Sequence, residues 1–332
     1  MAETPNAVNV AVTPNVVGVL FDFDGTLGDT EAPAMEVAFW EVAPYIPGLG
    51  ADAAALDAAR AEFVVTNAGK AFEFMVDAVD ARRAAVGLPP VEEVFAAQRA
   101  AGVVVSTPLS DSVDSRRAEL GLVPLAKLFS AGAETAEPTL LAQQKADTNA
   151  RLAIAARATP QTVETLEALT AASVPFVIAT TSGKPRVPIC VDAAGLRLYF
   201  PSDELSIHSG ESDFEPPCFK PAPDVYLRAA AYVKLPPARC VAVEDSASGV
   251  GSAANAKLGL IVGYVGASHI SDKEGHARML MQGARSDDGR GAEVVIEDMR
   301  DLTPLVLAFR AEGTLLAVRE AAARLGGKSW LP

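Results

Sequence analysis

The sequence predicts a two-domain α/β protein: a doubly wound parallel sheet with an all-helical domain inserted after its first strand. Three observations carry that prediction. Short, continuous apolar runs, the pattern of parallel strands covered on both faces, occur at VVGVLFD (16–22), PFVIAT (175–180), CVAVED (240–245), LGLIVGYV (258–265) and AEVVIED (292–298). Helix-like stretches separate the later runs, among them PAPDVYLRAAAYVK (221–234) and SGVGSAANAKLG (248–259), which gives β-α-β alternation. Between the first run and the second, residues 32–157 carry no strand pattern.

That interval is rich in Ala, Glu, Asp and Arg at helical spacing. Helices are expected at PAMEVAFWEVA (33–43), LDAARAEFVV (56–65), KAFEFMVDAVDARRAAV (70–86), VEEVFAAQRAA (91–101) and PTLLAQQKADTNARLAIAARA (138–158). Breaks are expected at YIPGLG (45–50), GLPP (87–90) and STPLSDS (106–112), where Gly, Pro and Ser punctuate the pattern. The expected domains are a core of residues 1–31 plus 158–332 and a helical insertion of residues 32–157. A last helix, GTLLAVREAAARLGG (313–327), follows the final predicted strand.

At 332 residues, 50% apolar and 21% charged, the chain can bury one large core or two smaller ones. Its formal net charge of −14 repels polyanions, which argues against nucleic acid and anionic membrane surfaces as general partners. An anionic ligand must therefore be held by local positive groups. Cys190, Cys218 and Cys240 are widely spaced and form neither a disulfide framework nor a CxxC knuckle, so a reducing compartment is expected. No apolar stretch reaches bilayer length, and no Lys or Arg precedes Arg60 to supply the charged start of a signal peptide. The expectation is a soluble protein of the cytoplasm, or of an organelle stroma or matrix if the chain is a processed form.

In an open parallel sheet, ligands bind beyond the carboxyl ends of the strands. There the first run delivers Asp22 and Asp24, the PFVIAT run delivers Thr180, Thr181 and Ser182, and the CVAVED run delivers Glu244 and Asp245. DFDGT alone also has a structural reading, a polar turn that closes a strand. Four carboxylates on one edge repel one another unless a cation compensates them, and a hard divalent ion with oxygen ligands, Mg²⁺, is the economical choice. Lys220, in FKPAPDVY, is the expected positive partner on the protein, with Pro221 and Pro223 holding the backbone as it enters a helix. Metal and ammonium together suit a phosphoryl group.

These residues, in this order, resemble the haloacid dehalogenase-like hydrolase superfamily. The match runs through DFDGT (22–26), VIATTS (177–182), Lys220 in KPAPD, and VEDSASG (243–249). The resemblance implies a Rossmann-like core with a helical cap and a Mg²⁺-dependent phosphohydrolase that cleaves a small phosphate monoester. Asp22 matches the nucleophile that forms an aspartyl-phosphate, and Asp24 the acid/base that serves the leaving oxygen and then water. Side chains at i and i+2 of an extended segment point the same way, which suits that pairing. Thr180 matches the hydroxyl on a phosphoryl oxygen and Lys220 the charge-balancing lysine. Asp22, Asp245 and the backbone carbonyl of Asp24 match the Mg²⁺ shell, with Glu244 binding directly or through water. Thr181 and Ser182 are either further phosphate contacts or turn residues, and Lys184 and Arg186 either assist phosphate binding or face solvent.

A helical insertion between the first and second motifs is similar to the group of phosphoglycolate phosphatase-like, β-phosphoglucomutase-like and sugar-phosphate phosphatase members. It implies a phosphosugar or phosphoglycolate-like substrate and puts Asp29 and Thr30 on the hinge side of the site. Two departures stand out. The insertion is longer than the compact caps of that group, with its surplus around residues 100–150, a stretch able to reshape the pocket or receive a protein partner. Ala34 also stands where the mutases carry a histidine, which weakens a phosphosugar mutase as the alternative.

Two further classes stand beside the enzyme reading. GVGSAA (249–254) has the outline of a dinucleotide fingerprint, but acids occupy the strand end where a pyrophosphate would approach, and LGLIVGYV ends without an acid for a ribose hydroxyl. A binding or assembly module using the enlarged cap is the other, and the complete set of acids, hydroxyl and lysine gives no sign of lost catalysis. No histidine neighbours Cys218 or Cys240, and His208, His269 and His276 form no metal spacing, so they read as packing, loop or surface residues.

Overall fold

The computed structural model describes residues 16–67, 72–104, 106–130 and 136–332. The chain divides into two compact units, one taking the chain up to Asp29 and again from Arg157 to Pro332, the other comprising Thr30–Ala156. The first is built on a sheet and the second on helices.

The sheet has strands β1 (Gly18–Phe21), β2 (Phe176–Thr180), β3 (Ile207–Ser209), β4 (Cys240–Glu244), β5 (Leu260–Tyr264), β6 (Val294–Ile296) and β7 (Ser329–Trp330). Their order is β3-β2-β1-β4-β5-β6-β7, parallel throughout except for the antiparallel β6–β7 pair. From β1 the chain runs to β2 and β3 on one side and then crosses to β4 on the other, so the topological switch falls at the carboxyl end of β1. Register sets the site. Phe21 is level with Ile178 on one side and with Val243 on the other, which brings Asp22, Thr180 and Glu244 out along one edge. β1 and β4 are buried along their whole length, as their unbroken apolar runs require.

Two strands depart from the sequence expectation. β3 has one apolar residue in Ile-His-Ser and β7 is two residues long, so neither carries a run that periodicity detects. His208, expected in a loop, is therefore a strand residue buried at the sheet's edge.

The helical unit comprises α1 (Glu31–Val42), α2 (Ala53–Asn67), α3 (Phe72–Ala85), α4 (Val91–Ala101), α5 (Pro108–Glu119), α6 (Leu125–Leu128) and α7 (Leu140–Ala155). The expected break at STPLSDS is in fact the start of α5. Thr107 caps it by accepting the Ser110 N–H at 3.1 Å, the Ser110 hydroxyl accepts the Thr107 N–H at 2.8 Å, and Pro108 sits at the first helical position. The Ser and Pro that read as punctuation are helix-start signals. Residues 70 and 71 of the helix expected at 70–86, residues 105 and 131–135 of the surplus segment, and residues 1–15 of the expected core lie outside the described residues.

This unit has its own apolar core, in which Phe39 meets Trp40 edge-on at 4.8 Å and Phe95 meets Phe129 at 5.1 Å. A charge cluster lies within it: fully buried Arg117 donates to Glu41 at 2.6 Å, to Asp147 at 2.5 Å and to the Val123 carbonyl at 2.9 Å.

Around the sheet lie α8 (Thr162–Ala171), α9 (Arg186–Ala193), α10 (Asp224–Tyr232), α11 (Ala247–Asn255), α12 (Lys273–Met281), α13 (Leu302–Glu312) and α14 (Leu315–Ala322). The helix expected at 313–327 is the shorter α14, set off from α13 by Gly313 at φ 68°. Where the chain leaves and re-enters the sheet unit, its two passages run side by side, with the Asp29 N–H donating to the Arg157 carbonyl at 2.8 Å. No helix among the described residues is long and apolar enough to cross a membrane.

Candidate active site

β1 runs out into Asp22, Phe23 and Asp24, and the backbone at once folds back. The Phe23 carbonyl accepts the N–H groups of Thr26 at 3.2 Å, Leu27 at 3.0 Å and Gly28 at 2.8 Å. Gly25 closes this turn at φ 79°, and a Cβ there would strike the Asp245 carboxylate. Both facts require glycine.

Lys220, carried in by the Pro-flanked entry to α10, is the hub. Its ammonium donates to Asp22 Oδ1 at 2.6 Å, to Glu244 Oε1 at 2.6 Å and to the Ala179 carbonyl of β2 at 2.8 Å, which uses all three of its hydrogens. Glu244 is wholly buried and also accepts from the Tyr226 hydroxyl at 2.6 Å and the Ser246 hydroxyl at 3.3 Å. Gly249 lies where a Cβ would occupy the space of the Glu244 carboxylate, so α11 can begin close behind it.

Asp22, Glu244 and Asp245 each place a carboxylate oxygen within 4.8 Å of the others. Burial lifts the Asp22 carboxyl to about 7, with Lys220 opposing and Glu244 and Asp24 adding to the rise. Burial works against the Lys220 ammonium, but Asp22 and Glu244 outweigh it and hold the lysine above its ordinary range. One buried ammonium thus pairs with two of three clustered carboxylates, leaving negative charge that a cation would neutralise. The donor set is entirely hard oxygen and suits Mg²⁺. Glu244, whose oxygens already serve Lys220, Tyr226 and Ser246, is the member most committed to the protein.

At the end of β2, Thr180 is almost wholly buried, and its oxygen accepts the Ser182 N–H at 3.1 Å, leaving its hydroxyl hydrogen to donate. The Thr181 hydroxyl makes no hydrogen bond among the described residues. Asp24 points its carboxylate at the loop after β2, where Ser182 Oγ donates to Oδ2 at 2.6 Å and Arg186 Nη2 to Oδ1 at 2.8 Å. The side chain of Asp24 is outside the three-carboxylate cluster. Lys184 is held instead by Asp213 at 2.9 Å.

Tyr226, Ser246 and the pairing of Arg186 with Asp24 escape the sequence, because no spacing in a single chain marks them. The histidines could have been found. His276 Nε2 lies 2.6 Å from the Asp245 carbonyl and His269 Nε2 lies 3.6 Å from Asp245 Oδ2. Both follow the end of β5, where the strand-end rule points. His208 is elsewhere, packed on Tyr232 with ring centroids 5.2 Å apart, and neither ring nitrogen has a hydrogen-bond partner among the described residues.

Fold and site together define a parallel α/β protein with an acid–lysine centre at its topological switch point. The family model of the haloacid dehalogenase-like hydrolases matches residues 16–257, and the chain belongs to that family. Protein CbbY of Rhodobacter capsulatus is 34% identical over 105 residues, a match spanning 31% of this chain and 44% of that relative's length. Two solved structures share the fold at 23% identity. A haloacid dehalogenase-like protein of unknown function from Agrobacterium tumefaciens superposes with a TM-score of 0.56, over 90% of this chain and 100% of that one. A HAD family hydrolase from Deinococcus radiodurans with bound phosphate and sodium gives 0.51, over 90% and 97%.

Proposed function

We propose that the protein is a Mg²⁺-dependent phosphohydrolase that cleaves a small phosphate monoester through an aspartyl-phosphate on Asp22. The observation that carries this reading is the buried Lys220 ammonium joining the ends of β1, β2 and β4 through Asp22, Ala179 and Glu244. Asp22 attacks phosphorus, forming a carboxylate-O–P bond as the ester P–O bond breaks, and Asp24 gives its proton to the leaving oxygen. Asp24 then takes a proton from water as that water attacks phosphorus and releases Asp22 and inorganic phosphate. Lys220 and the Thr180 hydroxyl stabilise the charge on the transferring group, with Thr181 as a further contact. Asp22, Asp245 and the Asp24 carbonyl would hold Mg²⁺, with Glu244 direct or through water. When bound, the ion neutralises charge on the phosphoryl oxygens.

By family likeness, the substrate is a phosphosugar or a phosphoglycolate-like metabolite, and the helical unit serves as a cap that selects the leaving group and excludes water. Phosphate release from p-nitrophenyl phosphate and a panel of phosphorylated sugars and short acids, with Mg²⁺ and with a chelator, tests this. Turnover that needs Mg²⁺ and falls by at least about 10³-fold in Asp22→Asn is expected. No release from any compound, or an Asp22→Asn variant equal to wild type, contradicts it.

A further inference from the structure

Asp24 meets two donors of one loop. Arg186 Nη2 takes Oδ1 at 2.8 Å and Ser182 Oγ takes Oδ2 at 2.6 Å, so both oxygens of a single carboxylate are fixed from the segment that follows β2. One hydrogen bond would leave the carboxylate plane to rotate, whereas two on opposite oxygens set it. Arg186 opens α9, with Cys190 buried one turn further on. Its neighbour Lys184 is engaged elsewhere, by Asp213. Arg186 is part-buried, with 28% of its side chain exposed, and is paired with Asp24.

We propose that Arg186 is a positioning residue for Asp24, aiming, together with Ser182, the carboxylate that exchanges protons with the leaving group and with water. The assignment rests on the reading of Asp24 as the acid/base. Because Arg186 acts through Asp24, its removal costs turnover and leaves substrate affinity in place. Its planar fork fixes an orientation that the point charge of lysine reproduces only in part.

Arg186→Ala, Arg186→Lys and Ser182→Ala, each alone and combined with Asp24→Asn, test this with p-nitrophenyl phosphate and Mg²⁺. In the otherwise native protein, Arg186→Ala is expected to lower kcat by about 10- to 100-fold with KM changed less than about threefold. Arg186→Lys should fall between it and wild type, and Ser182→Ala should lose less. In the Asp24→Asn background none of the three should lower the residual kcat further, since coupled residues are non-additive. A raised KM at unchanged kcat, equal losses in both backgrounds, or no effect in either overturns the assignment while wild-type turnover keeps the phosphohydrolase reading intact. Absence of wild-type turnover overturns both.

Discussion

Lys220 Nζ stands 2.6 Å from Asp22 Oδ1 across 198 residues of chain, and both side chains are buried. The same ammonium holds Glu244, so among the described residues it is the one positive group that pairs with those two carboxylates. Truncating one partner of a buried ionic contact leaves the other charge uncompensated. Lys220→Met is therefore expected to cost about 3–5 kcal/mol in urea unfolding monitored at pH 8, as well as activity. A cost below 1 kcal/mol would show that the carboxylates find other compensation.

Gly25 gives a metal-directed prediction with its own control. Gly25 and Gly48 have similar positive φ, 79° and 73°, but a Cβ on Gly25 meets the Asp245 carboxylate whereas one on Gly48 meets nothing within 4 Å. Both alanine variants carry the backbone strain of about 1–2 kcal/mol. Only Gly25→Ala should weaken Mg²⁺ or Mn²⁺ binding, by about tenfold or more in isothermal titration. Equal affinities in the two variants would separate Asp245 from the metal.

The Arg117 cluster makes the stability of the helical unit depend on pH. Burial raises the Glu41 carboxyl to about 8, Arg117 opposing and Asp147 adding to the rise. With its ordinary value at 4.5, the folded chain binds more protons than the unfolded chain between about 4.5 and 8, so this contribution fades as pH rises through that window. Glu41→Gln should flatten that slope. Arg117→Met should cost about 3–5 kcal/mol, and combining it with Glu41→Gln and Asp147→Asn should recover most of the loss, as read by urea unfolding.

His208 acts in the opposite direction. Burial lowers it to about 4, with Asp213 opposing and Arg228 and Lys184 reinforcing the shift. The neutral ring is favoured in the folded state, so stability is complete above its ordinary value of 6.5 and is lost as pH falls toward 4, on the order of 3 kcal/mol. His208→Phe should remove that acid-side loss in thermal melts at pH 4.5 and pH 7. An unchanged difference between the two pH values would contradict it.

The buried strands β1, β2, β4 and β5 were legible because both their faces are covered, so their sequences stay apolar without interruption. Edge strands β3 and β7 were not, since too few residues pair to leave a pattern. Within the helical unit, Thr107 and Pro108 read as a break when they are a cap. The residues brought together as Asp22, Lys220, Glu244 and Asp245 were readable from strand ends and from family resemblance. Tyr226 was not, and neither were the pairings of Ser182 and Arg186 with Asp24, because these contacts join segments distant in sequence. Asp24 belongs to both groups: its presence was legible, while the direction of its carboxylate, toward Arg186, was set by tertiary structure.

The most direct test of the central claim is to find the phosphoryl group on Asp22. Protein mixed with a substrate from the panel and Mg²⁺ is quenched in acid during turnover, digested, and the peptide containing residues 16–31 is weighed by mass spectrometry. One added phosphoryl group on Asp22, removed by hydroxylamine and absent from Asp22→Asn, is the predicted result. Steady hydrolysis with the peptide unmodified, and Asp22→Asn turning over at the wild-type rate, would contradict it.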